Sequence, residues 1–279
     1  EANWIYNFSL PPLLVHSLLF EDSRKLSVWS KKLPQAKIGN SYLNFIASHD
    51  GIGMRPVEGL LNKDAINKMF KRLRKNGGEF SFRKVQGKGK KVYEANITLF
   101  NAFEKSDFDK KGKYYLERFI SAHAIMLAFE GIPAVYFNSI FGTSNDNSKY
   151  IISGNKRDLN RYRWNKVRLE KSLKNKNSKQ TIYYKNMINL LKVRKQQKAF
   201  HPDATQTTLK LGSKIFAIKR LSIDKKQSIT CLTNVTSEKQ FVNLNINKHK
   251  FKNLLQEKLI FVNKKLELKP FQTVWISNK

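Results

Sequence analysis

Three short blocks rich in aromatic and β-branched residues lie before position 200: WIYNFSL (residues 4–10), YLNFIASH (42–49) and IPAVYFNSI (132–140). Helical patterns separate them. An alternation of buried strands with helices calls for parallel strands joined by crossovers. Three such strands are too few for a closed parallel barrel, which needs eight. They suit the last strands of one. A first residue Glu1 instead of Met agrees with a chain that has been cut or begins mid-gene.

The helical patterns are legible one by one. Pro11 and Pro12 open an apolar run through Leu19, with proline suited to a first helical turn. Residues 64–75 place Ile66, Met69, Phe70 and Leu73 on one face and end at Asn76-Gly77-Gly78. Residues 114–129 predict a buried helix closed by Gly131, and residues 182–200 another. FSFRKV and KKVYEANI flank QGKGK as a hairpin. After His201-Pro202 the texture changes. TLKLGSKIFAIKRLSI, QSITCLTNV, KQFVNLNI, KLIFV and LELKPFQTVWIS are five segments with period-2 alternation, which predict a small all-β sandwich. The expected organisation is α/β: the C-terminal half of a (β/α)8 barrel over 1–200, then a β-sandwich domain over 201–279.

Composition bounds the function. The chain carries 53 Lys and Arg against 21 Asp and Glu, a net charge of +32. Such a balance can mark nucleic-acid binding. Here Lys is interleaved with Asn, Ser and Ile throughout and forms no single basic arm, so nucleic acid is not the expected partner. The longest apolar stretches fall short of the roughly 20 uninterrupted residues of a membrane span. No basic segment with a small-residue cleavage site opens the chain, so no signal peptide is expected. The sole cysteine, Cys231, excludes an internal disulfide and fits a reducing compartment, the cytoplasm. No metal-ligand cluster or Gly-rich phosphate loop stands out, and neither a metal nor a cofactor is expected.

The motif richest in chemistry is NFIASHDGIGMRPVEGLL, residues 44–61. A hydrophobic strand delivers His49 and Asp50 at its C-terminal end, and Gly51 and Gly53 let the chain turn. Barrel active sites form at C-terminal strand ends. An imidazole and a carboxylate there can hold sugar hydroxyls, and the carboxylate can stabilise an oxocarbenium-like transition state. Taken as bare chemistry, a His-Asp pair also fits a helix cap or a surface turn.

The same stretch resembles the fourth conserved region of the α-amylase superfamily (glycoside hydrolase family thirteen). SHDGIG followed by RPVEGLL is similar to its sucrose phosphorylase branch, especially the glucosylglycerate phosphorylases. WIYNFSLPPLLVHSLL resembles that branch's sixth barrel strand and following helix, and VYEANITLFNAF its aromatic substrate loop. FISAHAIMLAFEGIPAVYFNSIFG resembles the last barrel helix and strand, and GNKRDLNRYRW the loop G-R-x-x-N-R. The closing LELKPFQTVWIS resembles the end of the C-terminal β-domain. The resemblance runs the full chain. It implies a retaining double displacement from a glucoside to phosphate, releasing α-glucose 1-phosphate. By that resemblance Asp50 is the transition-state stabiliser and His49 a hydroxyl donor. The nucleophile and acid/base would precede Trp4. Asp22, Glu58 and Asp64 fall outside the expected strand ends, so the chain alone is expected to be inactive.

The resemblance also suggests how substrates are held. Arg157 matches a loop arginine that meets phosphate, and Arg161 the second arginine of that loop; a structural ion pair is the other role open to each. Tyr93-Glu94 stands where sucrose phosphorylases carry Tyr-Gln, which puts fructose in doubt as the acceptor. Arg55 replaces a small or apolar residue and could meet an acceptor carboxylate, which favours glycerate. Tyr136, Asn138 and His123 suit the core or a supporting position behind the site rather than catalysis; Trp4, Trp29 and Trp164 could line a sugar site, with packing the favoured role. The expected partners are a sugar substrate, inorganic phosphate and the missing N-terminal half. The alternatives are an inactive remnant of a split gene, a partner-binding half-barrel or a basic nucleic-acid binder.

Overall fold

The structure, a computed structural model, describes residues 3–87, 89–243, 250–256, 258–261 and 265–278. Strands β1 (Trp4–Tyr6), β2 (Ser41–Asn44) and β6 (Ile132–Pro133) form a parallel sheet in the order β1-β2-β6. Helices α1 (Leu10–Leu19) and α2 (Arg24–Lys32) cross from β1 to β2. Every residue of α1 is buried, as an apolar helix without a polar face must be. Between β2 and β6 the chain makes a longer excursion. It runs through β3 (Ile52–Gly53), α3 (Lys63–Lys75), a hairpin of β4 (Glu79–Val85) and β5 (Gly89–Asn96), a helical turn α4 (Leu99–Ala102), and α5 (Tyr115–Ala128). β3 adds antiparallel to β5, so the hairpin becomes three-stranded beside the end of β2.

Local chemistry accounts for the boundaries. The Asn62 side chain caps α3 by accepting from the Ala65 amide at 2.8 Å. Gly77, at φ 85°, ends α3. The Gly78 amide reaches back to the Leu73 carbonyl and the Gly77 amide to Arg74, the paired bonds of a Schellman stop. Beyond β6 come α6 (Phe137–Ile140), α7 (Asn147–Ser153), α8 (Lys166–Lys174) and α9 (Lys179–Lys195).

The remaining strands are β7 (Thr205–Thr208), β8 (Ile215–Leu221), β9 (Ser228–Asn234), β10 (Gln240–Val242), β11 (Lys250–Asn253), β12 (Lys258–Phe261), β13 (Leu266–Leu268) and β14 (Thr273–Ser277). Six form one antiparallel sheet, β12-β11-β14-β9-β8-β7, and β10 pairs with β13. Alternation along the strands gives the sheet two apolar faces. Phe216, Ile218, Ile229, Cys231 and Trp275 join the core that includes α1 and α5. Ile215, Ala217, Leu232, Val274 and Ile276 form a second core with Val242, Leu266 and Leu268 of the ribbon.

Several sequence expectations change. Residues 4–10 are strand only through Tyr6, and within 208–223 the main strand is Ile215–Leu221. Residues 132–140 are not one strand: pairing stops after the Ala134 amide bonds the Asn44 carbonyl at 2.7 Å, and α6 follows. Pro133 has no amide to extend the ladder. Likewise 42–49 is strand only as far as Asn44. LELKPFQTVWIS is two strands, split by a turn in which Phe271 takes φ 50°. Helices α2, α7 and α8 were not anticipated. Residues 244–246 of KQFVNLNI and Val262 of KLIFV lie outside the described residues. Among the described residues, no helix is long and apolar enough to cross a membrane.

Arg220 on β8 ties the sheet to α5. Its fully buried guanidinium donates to the carbonyls of Ala128 (2.8 Å), His201 (2.9 Å), Ala204 (3.0 Å) and Thr205 (3.4 Å). Burial lowers its pKa to about 10, so it stays charged at neutral pH. Arg220→Met leaves these carbonyls without their donor and should cost about 3 kcal/mol in urea unfolding. A loss under ~0.5 kcal/mol would show that the clamp adds little. His123, buried in α5 against Phe119, has its pKa lowered to about 4 by burial. Its native pKa lies below its unfolded value, so only the unfolded chain takes up this proton as pH falls from 6.5 towards 4. Stability should fall across that window by up to ~1.4 kcal/mol per pH unit, a slope that His123→Met should remove.

Candidate active site

The end of β2 is fixed by Asn44, which is fully buried. Its Oδ1 accepts from Asn7 at 2.9 Å and its Nδ2 donates to the Glu130 carbonyl at 2.7 Å. These bonds tie the end of β1 and the approach to β6 to one side chain. Past Asn44 the chain turns around Ser48, whose Oγ accepts from the Asp50 amide (3.2 Å) and donates to the Gly51 carbonyl (3.2 Å). Gly51 has φ 127°, and a Cβ there would collide with the Ala95 carbonyl oxygen. Only glycine permits this approach. It brings Ile52 opposite Ala95 and Gly53 opposite Glu94, so Asp50 sits beside β5.

A second loop closes on Asp50. The 3-10 turn Lys156–Asn160 is capped by Asn155, whose Oδ1 accepts from the Arg157 amide at 3.1 Å. Arg157 Nη1 and Arg161 Nη2 lie 3.2 and 3.0 Å from Asp50 Oδ1, and His49 Nε2 lies 3.2 Å from the same oxygen. Arg161 Nε also donates to the His49 carbonyl at 3.2 Å. The other edge of Arg157 grips Glu94: Nε reaches Oε2 at 3.1 Å and Nη2 reaches Oε1 at 3.2 Å. That hydrogen-bonded carboxylate holds the Arg157 pKa above the usual arginine value. Asp50 Oδ2 has no protein partner among the described residues, and the side chain is 31% exposed.

Five of the anticipated residues, His49, Asp50, Glu94, Arg157 and Arg161, therefore meet in one cluster. Tyr93 is half-buried beside Glu94, and its carbonyl accepts from the Met54 amide at 2.8 Å. Arg55 begins the turn Arg55–Val57 next to that amide. Its side chain is exposed and makes no ion pair or hydrogen bond among the described residues. Both arginines of the loop do make the ion pairs that were their alternative role.

The sequence reading gave no role to Asn96 or Asn160, which hold this cluster together with Tyr136 and Asn138. Asn96 Nδ2 donates to the Asp50 carbonyl (2.9 Å) and to Glu94 Oε2 (2.7 Å), while Asn160 Nδ2 reaches the Asp50 carbonyl at 3.4 Å. Tyr136 Oη donates to the Asn160 carbonyl at 2.7 Å, and Asn138 Nδ2 to the Tyr162 carbonyl at 3.1 Å. Burial raises the Tyr136 phenol above its ordinary value, so it remains a donor. Asn160 was visible as part of the loop motif; Asn96, the last residue of β5, lies inside KKVYEANI and carried no signal of its own. Trp164 packs on Phe141 and Tyr162, and Trp29 on Phe129, whereas Trp4 is exposed.

No protein-family model matches the chain. Individual proteins do. The chain is 32% identical to the glucosylglycerate phosphorylase of Escherichia coli (strain K12) over 276 residues, 99% of this chain and 48% of that protein. It is 34% identical to the glucosylglycerate phosphorylase of Allomeiothermus silvanus, again over 99% of the chain and 47% of the relative. Against the sucrose phosphorylase of Agrobacterium vitis identity is 26%, over 78% of the chain and 42% of the relative. Among solved structures, the sucrose 6F-phosphate phosphorylase of Thermoanaerobacter thermosaccharolyticum superposes with a TM-score of 0.71 at 17% identity, covering 95% of this chain and 48% of that one. An Anoxybacillus α-amylase gives 0.55 at 12% identity, over 98% of this chain and 46% of that one. At such identities these likenesses speak for the fold: the C-terminal half of a (β/α)8 barrel with a β-domain after it. The chain belongs to the sucrose and glucosylglycerate phosphorylase branch of the α-amylase superfamily and spans about half the length of the curated relatives it matches.

Proposed function

We propose that this chain supplies the transition-state-stabilising carboxylate and the anion-binding arginines of a retaining α-glucoside phosphorylase. Its substrates are a glucosylglycerate- or sucrose-type glucoside and inorganic phosphate, its product is α-glucose 1-phosphate, and its compartment is the cytoplasm. The observation that carries this reading is the asymmetry of Asp50. Oδ1 accepts from Arg161 at 3.0 Å and lies 3.2 Å from both Arg157 Nη1 and His49 Nε2, while Oδ2 has no partner among the described residues and the side chain is partly exposed. A carboxylate fixed on one oxygen can offer the other to sugar hydroxyls and oppose positive charge developing at the anomeric carbon. His49 donates beside it. Arg157 and Arg161 suit an oxyanion, and Tyr93, Glu94 and Arg55 border the acceptor space.

The nucleophile and the acid/base come from outside this chain. Among the described residues Glu94 is the other carboxylate of the cluster, and Arg157 occupies both its oxygens. Asp22 pairs with Arg24, Glu58 with Arg83, and Asp64 lies in the first turn of α3. The face awaiting that other half is apolar. Trp4, Ile5, Tyr6 and Phe8 are each 44–57% exposed on and beside β1, which pairs on one side alone among the described residues. A strand edge of this kind invites further strands.

The test is an assay for released α-glucose 1-phosphate, with the chain alone and with the chain joined behind the N-terminal half of a curated relative. The joined protein should turn over, the chain alone should not, and Asp50→Asn should lower turnover by two to three orders of magnitude, a rough scale for losing a transition-state contact. A folded but inactive joined protein would refute the phosphorylase reading, and activity of the chain alone would refute its incompleteness. In the same assay Arg55→Ala should reduce use of a glycerate acceptor roughly tenfold more than use of fructose, as loss of a charge-assisted hydrogen bond would. Equal losses on both would remove Arg55 from acceptor recognition.

A further inference from the structure

We propose that Glu94 is a built-in counter-anion on the phosphate-binding edge of Arg157, and that inorganic phosphate enters the site only by displacing it. The proposal rests on the reading of Arg157 as the arginine that meets phosphate. A guanidinium takes a phosphate through two parallel N–H bonds from one edge. On Arg157 the Nε/Nη2 edge is already closed on Glu94, at 3.1 and 3.2 Å, and Nη1 faces Asp50 at 3.2 Å. The neighbouring Arg161 is committed to Asp50 Oδ1 and the His49 carbonyl. Among the described residues two carboxylates thus face two guanidiniums, and both guanidiniums of the cluster already have a carboxylate partner.

Glu94 is also braced to remain in place. It is 6% exposed. Asn96 donates to its Oε2 at 2.7 Å and is itself held through Ser81, whose Oγ donates to Asn96 Oδ1 at 2.7 Å. A buried carboxylate separated from its guanidinium is costly, so phosphate must do more than fill an empty cradle. The bond from Asn96 leaves Glu94 one partner when Arg157 turns away. With no phosphate bound, Glu94 keeps Arg157 paired and aligned beside Asp50.

The experiment is isothermal titration of the full chain with inorganic phosphate at constant ionic strength, with thermal unfolding of each variant as a check of folding. Glu94→Gln, which keeps the shape and removes the charge, should tighten phosphate binding by about tenfold or more, the scale of one competing charge-assisted pair. Adding Arg157→Gln should abolish that gain. If Glu94→Gln does not fold, Glu94→Ser serves, with the same expectation. Phosphate binding that depends on Arg157 but is unchanged or weakened by removal of the Glu94 charge would overturn the counter-anion and leave the phosphorylase reading standing. Binding that is indifferent to Arg157, or absent from wild type and variant alike, would overturn the counter-anion and also remove the anion site on which the proposed function draws.

Discussion

The cluster depends on one oxygen. Asp50 Oδ1 receives Arg157, Arg161 and His49 together, and those contacts bind the end of β2 to a loop more than a hundred residues later. Apart from that convergence the 155–161 loop is tied by Arg157 to Glu94, by the Tyr136 hydroxyl to the Asn160 carbonyl, by the Lys156 ammonium to the Phe80 carbonyl and by Lys149 to Asp158, among other bonds. Asp50 lies between the like charges of Arg157 and Arg161 and offsets their repulsion, and Glu94 adds a second counter-charge on Arg157. The pairing is structural and chemical at once, since the groups that build the loop are those that hold an oxyanion.

Arginine has a second and different use in this chain. Among the described residues Arg220 forms no ion pair, and it is satisfied by backbone carbonyls at the end of α5 and the start of the β region. Arg118 is fully buried too, but divides its donors between Asp109 and the carbonyls of Phe103 and Glu104. In both, a planar many-donor group gathers carbonyls that helix and strand ends leave unpaired. Arg194 does the same for Leu127, Gly131 and Phe200. An excess of cations in the composition therefore does not imply an anionic partner for each. Several of them are internal staples.

Much was legible because it is local. Helix α3 follows from Met69 and Leu73 at helical spacing and the Asn-Gly-Gly stop, and the β4–β5 hairpin from alternation around a glycine-rich turn. The β strands beyond position 200 follow from period-2 patterning, though the Phe271 turn inside LELKPFQTVWIS does not, since a bulky residue at positive φ is not forecast by its own preference. Helix α2 has Leu26 and Ser30 as its buried residues, too little apolar periodicity to read. The 42–49 strand was overestimated because burial alone reads as strand. Ile46 is deeply buried and reads as strand, yet burial there comes from loop packing without a ladder.

The sequence by itself determined the strand–helix alternation, the His49-Asp50 pair after a buried strand, and the arginine loop, because each is written in contiguous residues whose propensities and patterning agree. The tertiary structure decided what those groups meet. Glu94 was read as an acceptor contact and is the partner of Arg157; Arg161, open to a substrate or an ion-pair role, meets Asp50. Asn96 and Asn160 became the supports of the Asp50 backbone. Hydrogen bonds and ion pairs between residues far apart in sequence depend on the path of the backbone between them, here the Gly51 turn against Ala95. No local preference of the residues concerned encodes that geometry.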